Sequence, residues 1–185
     1  KKGDGIQSEP PIYKWKNKDL NAGWVTTFND YAIVSENRCT CIPEDISKKD
    51  AALFGCAVTT GFGVVENNAQ IRMGESVVVF GAGGIGLNIV QAAKLVSAYP
   101  IIGVDLHQNR LDLAKKLGAT HTINSSKGDF YDHLKIILKN RPLDVFIDNT
   151  GIPEIIQMGY DLVNYQGKVV LVGVPKKGAN INIFS

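Results

Sequence analysis

The chain is short of cysteine, of net charge and of long apolar runs, and each shortage removes a class of function. Three cysteines, an odd number without a framework of spacings, exclude a disulfide-stapled secreted scaffold. They are expected to be reduced thiols of a cytoplasmic protein. The net charge of +2, with lysines scattered rather than clustered, excludes a nucleic-acid surface. No apolar run approaches a membrane span, and the opening KKGDGIQSEPPIYKWK lacks the apolar stretch of a signal peptide. Neither nucleic acid nor membrane is therefore an expected partner. An initiator methionine is also missing, so the chain is expected to be a fragment or a processed product. His107, His121 and His133 are spread over a strand end, a strand and a helix, and form no ligand cluster.

What is present centres on Ser76 to Gly86, SVVVFGAGGIG. Val77 to Phe80 is a continuous β-branched and aromatic run, as a strand covered on both faces requires. It stops at Gly81-x-Gly83-x-x-Gly86, a helix-like stretch follows, and Asp105 stands at the end of the next apolar run, Ile101 to Val104. Strand, glycine turn, helix and a carboxylate about 20 residues on match the dinucleotide-binding fingerprint. Gly81 and Gly83 allow a tight turn near a pyrophosphate, Gly86 allows close packing of helix on strand, and the helix N-terminus attracts phosphate. The bland alternative is a purely structural tight turn. Against it, Asp105 would otherwise be an unpaired carboxylate at the mouth of a crevice. A carboxylate there accepts hydrogen bonds from the adenosine ribose and repels a 2′-phosphate, which points to NAD rather than NADP. Arg110, one helical turn on, reaches the same ribose or is a solvated surface arginine, and the sequence leaves both open.

Along the chain, Lys1 to Lys18 reads as loop or arm, broken by Pro10 and Pro11. Trp24 to Phe28, Tyr31 to Val34 and Cys39 to Ile42 read as short antiparallel strands, too few to be a stable domain alone. From Ser47, two helices are expected to meet near Gly55-Cys56, with the glycines marking close packing. The alternation is then regular: strand 77–80, helix 85–96, strand 101–104, helix 108–117, strand 121–123, a helix with Phe130, Leu134, Ile137 and Leu138 inward, strand 145–148, helix 153–163 and strand 168–172. Such alternation predicts an α/β fold, a Rossmann doubly wound parallel sheet of order 3-2-1-4-5 with the sixth strand missing. The expected boundary divides residues 1–46 from a nucleotide-binding domain over 47–185.

By composition Cys56 is a small buried hydrophobe, and Cys39 with Cys41 is a weak zinc signal lacking a second pair. Tyr131-x-x-x-Lys135 resembles the catalytic pair of short-chain dehydrogenases. It follows the wrong glycine pattern and falls on a helix away from the crevice.

Taken together, Gly55-Cys56 with Thr59-Thr60-Gly61-Phe62-Gly63, GAGGIG with Asp105, Leu117-Gly118-Ala119-Thr120 and Val172-Gly173-Val174 resemble the zinc-dependent medium-chain alcohol and polyol dehydrogenases. The resemblance runs from about Gly23 to Phe184. It implies that Gly81, Ala82, Gly83, Gly84, Ile85, Gly86, Asp105 and Arg110 bind NAD, with Thr150, Gly151 and Ile152 lining the adenosine side. Thr60 is implied to pack near the nicotinamide, whose carboxamide bonds backbone groups of Val172, Gly173 and Val174. Cys56 is implied to be one of three protein ligands to a catalytic zinc in the full-length parent. The other ligands, a GHE motif and the structural-zinc lobe do not occur in this sequence. Residues 1–46 then correspond to the end of a GroES-like catalytic domain. The implied activity is hydride transfer between a small-molecule alcohol or polyol and NAD, by a parent of which this chain binds coenzyme without turnover. The alternatives are a non-catalytic nucleotide-binding module and a zinc-free NADPH-dependent reductase of the same superfamily. The alternation over Asn180 to Phe184 implies an edge strand that pairs across a homodimer.

Overall fold

The computed structural model describes residues 12–21, 27, 30–32, 34 and 36–183. Two compact units divide the chain, Lys1–Ser47 and Lys48–Ser185.

In the first unit, β1 (Ile12–Trp15) and β2 (Lys18–Asn21) form an antiparallel hairpin. Lys16 and Asn17 make its two-residue turn at φ 45° and 60°, a conformation whose twist matches that of the paired strands. This corrects the expected loop or arm over Lys1–Lys18 from Ile12 onward, its earlier part lying outside the described residues. The turn carries no glycine, and so the usual hairpin signal is absent. The strand expected at Trp24–Phe28 falls outside the described residues except at Thr27, which lies in no strand, and at Tyr31–Val34 the described Tyr31, Ala32 and Val34 lie in none either. Nor is there a strand at Cys39–Ile42. Instead Glu36–Arg38 is a short 3₁₀ turn, closed by the Cys39 N–H donating to the Glu36 carbonyl at 2.9 Å. Residues 39–42 then run exposed, with no neighbouring strand among the described residues.

The second unit opens on one helical run rather than two meeting helices. α1 (Lys48–Leu53) passes through a widened π turn, Phe54–Val58, into α2 (Thr59–Gly63), and a second π turn follows over Val64–Asn68. The wider ladder shows in the Ala69 N–H, which reaches the Val64 carbonyl five residues back at 2.8 Å. The glycines were expected to allow close packing, and Gly61 does so: a Cβ there would stand 2.5 Å from Asn88 Cβ. Gly55 does not, since a Cβ there would meet nothing within 4 Å.

Strands and helices then alternate: β3 (Val77–Phe80), α3 (Gly84–Leu95), β4 (Ile101–Asp105), α4 (Gln108–Leu117), β5 (His121–Asn124), α5 (Phe130–Leu138), β6 (Leu143–Asp148), α6 (Pro153–Leu162) and β7 (Val163–Leu171). The sheet order is β5-β4-β3-β6-β7 and every pairing is parallel, the order expected from the alternation. β7 begins earlier than Lys168, with a register shift opposite Leu143 and Val145.

Strand geometry explains the two cores. Val77 and Val79 face one side, where Ile89, Val90 and Ala93 of α3 cover them. Val78 and Phe80 face the other, against Phe130, Leu134 and Leu138 of α5. Val77, Val78 and Val79 are wholly buried, each worth about 1.5–3 kcal/mol of apolar transfer. Phe80 meets Phe130 edge-on with ring centroids 5.5 Å apart. Successive crossovers lead from β3 outward to β5, and the chain then returns to add β6 on the other flank of β3. The carboxyl ends of β4, β3, β6 and β7 therefore open on a shared edge, at the point where ligands enter such sheets. No strand forms over Asn180–Ile183, and Phe184 lies outside the described residues, so the edge strand expected there is not observed.

Candidate dinucleotide-binding site

β3 runs directly into Gly81, whose φ of 97° is strained for any residue with a Cβ. The Gly81 N–H donates to the Val104 carbonyl at 2.8 Å, tying the turn to β4. Gly83 precedes α3, and the Leu87 N–H closes the first helical bond on its carbonyl at 2.9 Å. A Cβ at Gly86 would overlap the Gly81 carbonyl oxygen, so only a hydrogen lets α3 start this close to the strand end. At Gly83 the opposite holds: a Cβ would meet nothing within 4 Å and would project into open space ahead of the helix. The first-turn N–H groups of Gly84, Ile85 and Gly86 have no intrahelical acceptor, and the positive end of the helix dipole faces the same space. This open cradle fits a phosphate.

Asp105 ends β4 beside the cradle, but it is not unpaired as expected. Its Oδ2 accepts the Ala82 N–H at 2.9 Å and its Oδ1 accepts the His107 N–H at 2.9 Å. Arg110 approaches Oδ2 at 3.5 Å from the solvent side, its side chain half exposed. Asp105 therefore does not require a ligand to satisfy it. The carboxylate instead shapes the turn, and with about four acceptor sites it retains capacity for a hydroxyl donor. Arg110 is thus a half-exposed arginine paired with Asp105.

Asp148, at the end of β6, was not among the expected site residues. It is fully buried, and its Oδ1 accepts from the Thr150 N–H at 2.9 Å and the Thr150 hydroxyl at 2.6 Å. Its Oδ2 accepts the Gly151 N–H at 2.9 Å. Its carbonyl takes the Val172 and Gly173 N–H groups at 2.8 and 2.9 Å. The two loops are also pressed together, because a Cβ on Gly173 would overlap the Gly151 N. Asp-x-Thr-Gly after a strand is an Asx-turn signature, and that signal could have found it. Beside it, the Asn149 Nδ2 donates to the Gly81 carbonyl at 3.3 Å, joining this wall to the glycine turn.

The structure thus gathers Gly81–Gly86, Asp105, Arg110, Thr150–Ile152 and Val172–Val174 at the carboxyl ends of the strands. Ile152 and Val174 are exposed there. Thr60, half-buried, rides on α2, which packs on α3. Cys56 lies one turn earlier and is exposed, which corrects its reading as a buried hydrophobe. Cys39 and Cys41 are exposed in the first unit. Among the described residues no group of three His, Cys, Asp or Glu could hold a metal ion, so these residues do not make a zinc site around Cys56. Tyr131 and Lys135 sit on α5 and are exposed. The three histidines remain dispersed.

A parallel sheet of this order, with a glycine cradle and a carboxylate at the next strand end, defines a Rossmann-like α/β domain. Residues 84–185 match the zinc-binding dehydrogenase family, and the chain belongs to it. It is 34% identical over 165 residues to an alcohol dehydrogenase class-3 from Cereibacter sphaeroides, covering 84% of this chain and 44% of that protein. Among solved structures, benzyl alcohol dehydrogenase from Acinetobacter calcoaceticus superposes with a TM-score of 0.80 at 35% identity, over 86% of this chain and 44% of that one. A Sinorhizobium meliloti 1021 protein bound to NADP gives a TM-score of 0.64 at 29% identity, over 70% of this chain and 38% of that one. The chain spans less than half the length of these relatives. No helix among the described residues is long and apolar enough to cross a membrane.

Proposed function

We propose that the chain is the coenzyme-binding part of an NAD-dependent alcohol or polyol dehydrogenase. The observation that carries this reading is Asp105, buried beside an open glycine cradle and bonded to the turn that forms it. When bound, the coenzyme supplies hydride transfer to and from an alcohol carbon. The chain's own residues do the rest. The N–H groups at Gly84–Gly86 receive the pyrophosphate, and Asp105 accepts the adenosine ribose hydroxyls while disfavouring a 2′-phosphate. Backbone groups of Val172–Val174 orient the carboxamide, Thr60 packs near the nicotinamide, and Thr150–Ile152 line the adenosine side. Zinc dependence belongs to the proposed whole enzyme, with Cys56 as one thiolate ligand. One thiolate does not complete an open tetrahedral site, so the chain alone is proposed to bind coenzyme without turnover. A cytoplasmic homodimer is the proposed setting, with the region 180–184 at the contact.

A second reading is an NADPH-dependent, zinc-free reductase of the same superfamily. The NADP in the Sinorhizobium meliloti relative favours it. Asp105 and Cys56 count against it. Calorimetry separates the two: saturable binding of NADH, with NADPH at least about tenfold weaker, is expected of a carboxylate at this position. Equal or tighter NADPH binding would overturn the NAD assignment, and absence of binding to either would overturn the coenzyme reading itself.

A further inference from the structure

The geometry points to Asp148 as the positioning residue for the wall of the crevice opposite the glycine cradle, an inference that rests on the dinucleotide reading. Five donors converge on this one residue from two loops. Its carboxylate holds the Thr150 N–H, the Thr150 hydroxyl and the Gly151 N–H, while its carbonyl holds the Val172 and Gly173 N–H groups. The carboxylate is fully buried and reaches no open surface. It therefore acts through the loops it holds rather than by touching a ligand. A buried carboxylate satisfied by three donors keeps its loop in one arrangement, because releasing any donor strands a polar group away from water. Gly151 sits at φ 68° with Val174 and Pro175 backbone atoms 2.6–2.9 Å from where its Cβ would lie. The arrangement of Thr150–Gly151 thus also sets where Val172–Val174 present their backbone groups. The cradle has further supports of its own, the Val104 carbonyl and Asp105, besides the Asn149 bond to the Gly81 carbonyl. Asp148 consequently bears on NADH at both ends, on the adenosine through Thr150–Gly151 and on the nicotinamide through Val172–Val174, and on ADP at one end only.

The test compares NADH with ADP as calorimetric probes on the full chain. Asp148→Asn keeps the size but turns one acceptor oxygen into a donor that faces an N–H. NADH affinity is expected to fall about tenfold or more, with ADP affinity changed less than about threefold. Loss of a negative charge would by itself favour both anionic probes, so a selective loss for NADH cannot be a charge effect. Thr150→Val, which removes the hydroxyl that donates to Asp148 and accepts the Ile152 N–H, keeps the test available where Asp148→Asn does not fold. It is expected to weaken NADH about threefold and ADP by less than that. Equal loss for both probes, or unchanged NADH binding, overturns the positioning role. A wild-type chain that binds neither probe overturns the dinucleotide reading instead.

Discussion

Asp105 and Ala82, 23 residues apart in sequence, are joined by a 2.9 Å hydrogen bond from the Ala82 N–H to Asp105 Oδ2. The carboxylate that would read the ribose is thus also part of the scaffold of the phosphate turn. An amide cannot replace it, because Asp105→Asn offers one acceptor oxygen where the Ala82 and His107 N–H groups need two. The variant is expected to lose about 1–3 kcal/mol of stability through the unmatched buried donor. Urea denaturation measures that loss, and an unchanged midpoint would show that the bond to Ala82 contributes nothing.

Gly83 and Gly86 separate binding from folding. Gly83→Ala adds a methyl group where no atom lies within 4 Å, at φ −77° and ψ −167°, which alanine tolerates. Stability is expected to stay within about 0.5 kcal/mol while NADH affinity falls, because the methyl group occupies the phosphate cradle. Gly86→Ala drives its methyl group into the Gly81 carbonyl, and both stability and binding are expected to fall. Parallel thermal melts and NADH titrations check the pair. A Gly83→Ala protein that bound NADH at full strength would remove the phosphate from this cradle.

The central sheet was legible because its strands are buried on both faces. Val77–Phe80, Ile101–Val104 and Val145–Ile147 are unbroken apolar runs between turn residues, a pattern that only a covered parallel sheet sustains. The cradle and Asp105 were legible for the same reason, since their spacing follows from one strand, one turn and one helix. The hairpin at Ile12–Asn21 was not, because Lys16 and Asn17 carry its positive φ values without a glycine. The π turns at Phe54–Val58 and Val64–Asn68 were hidden as well. One extra residue per turn inside a small, apolar stretch leaves the periodicity too blurred to distinguish a widened helix from two short ones. Asp148 carries a local signal in Asp-x-Thr-Gly, but its hold on the loop after β7 is brought about only by the folded register.

Cys39, Cys41 and Cys56 are all exposed thiols. All three are therefore expected to react with a thiol-specific disulfide reagent in the native chain, without denaturant. In the proposed whole enzyme, zinc bound at Cys56 would remove one thiol from the count, and a chelator would restore it. Native titration of as many thiols in a Cys56→Ser chain as in the wild type would contradict the exposed position of Cys56 on the π turn.

Lys168 on β7 reaches across to the end of the helical run, its Nζ donating to the Ala69 carbonyl at 2.7 Å and to that of Gln70 at 3.4 Å. Carbonyls at a helix C-terminus lack intrahelical donors, and a cation there also meets the negative end of the helix dipole. Lys168→Met keeps an aliphatic stem and removes only the charged donor. A stability loss of about 1 kcal/mol is expected, from one charge-assisted bond at a half-buried site. The loss should be local, because the same helical run packs on α3 through Gly61 and keeps its other anchors. Hydrogen exchange should therefore accelerate over Val64–Ile71 and stay slow over Val77–Phe80. Uniform acceleration across both segments would mean that Lys168 supports the whole sheet rather than the end of the helix that carries Cys56 and Thr60.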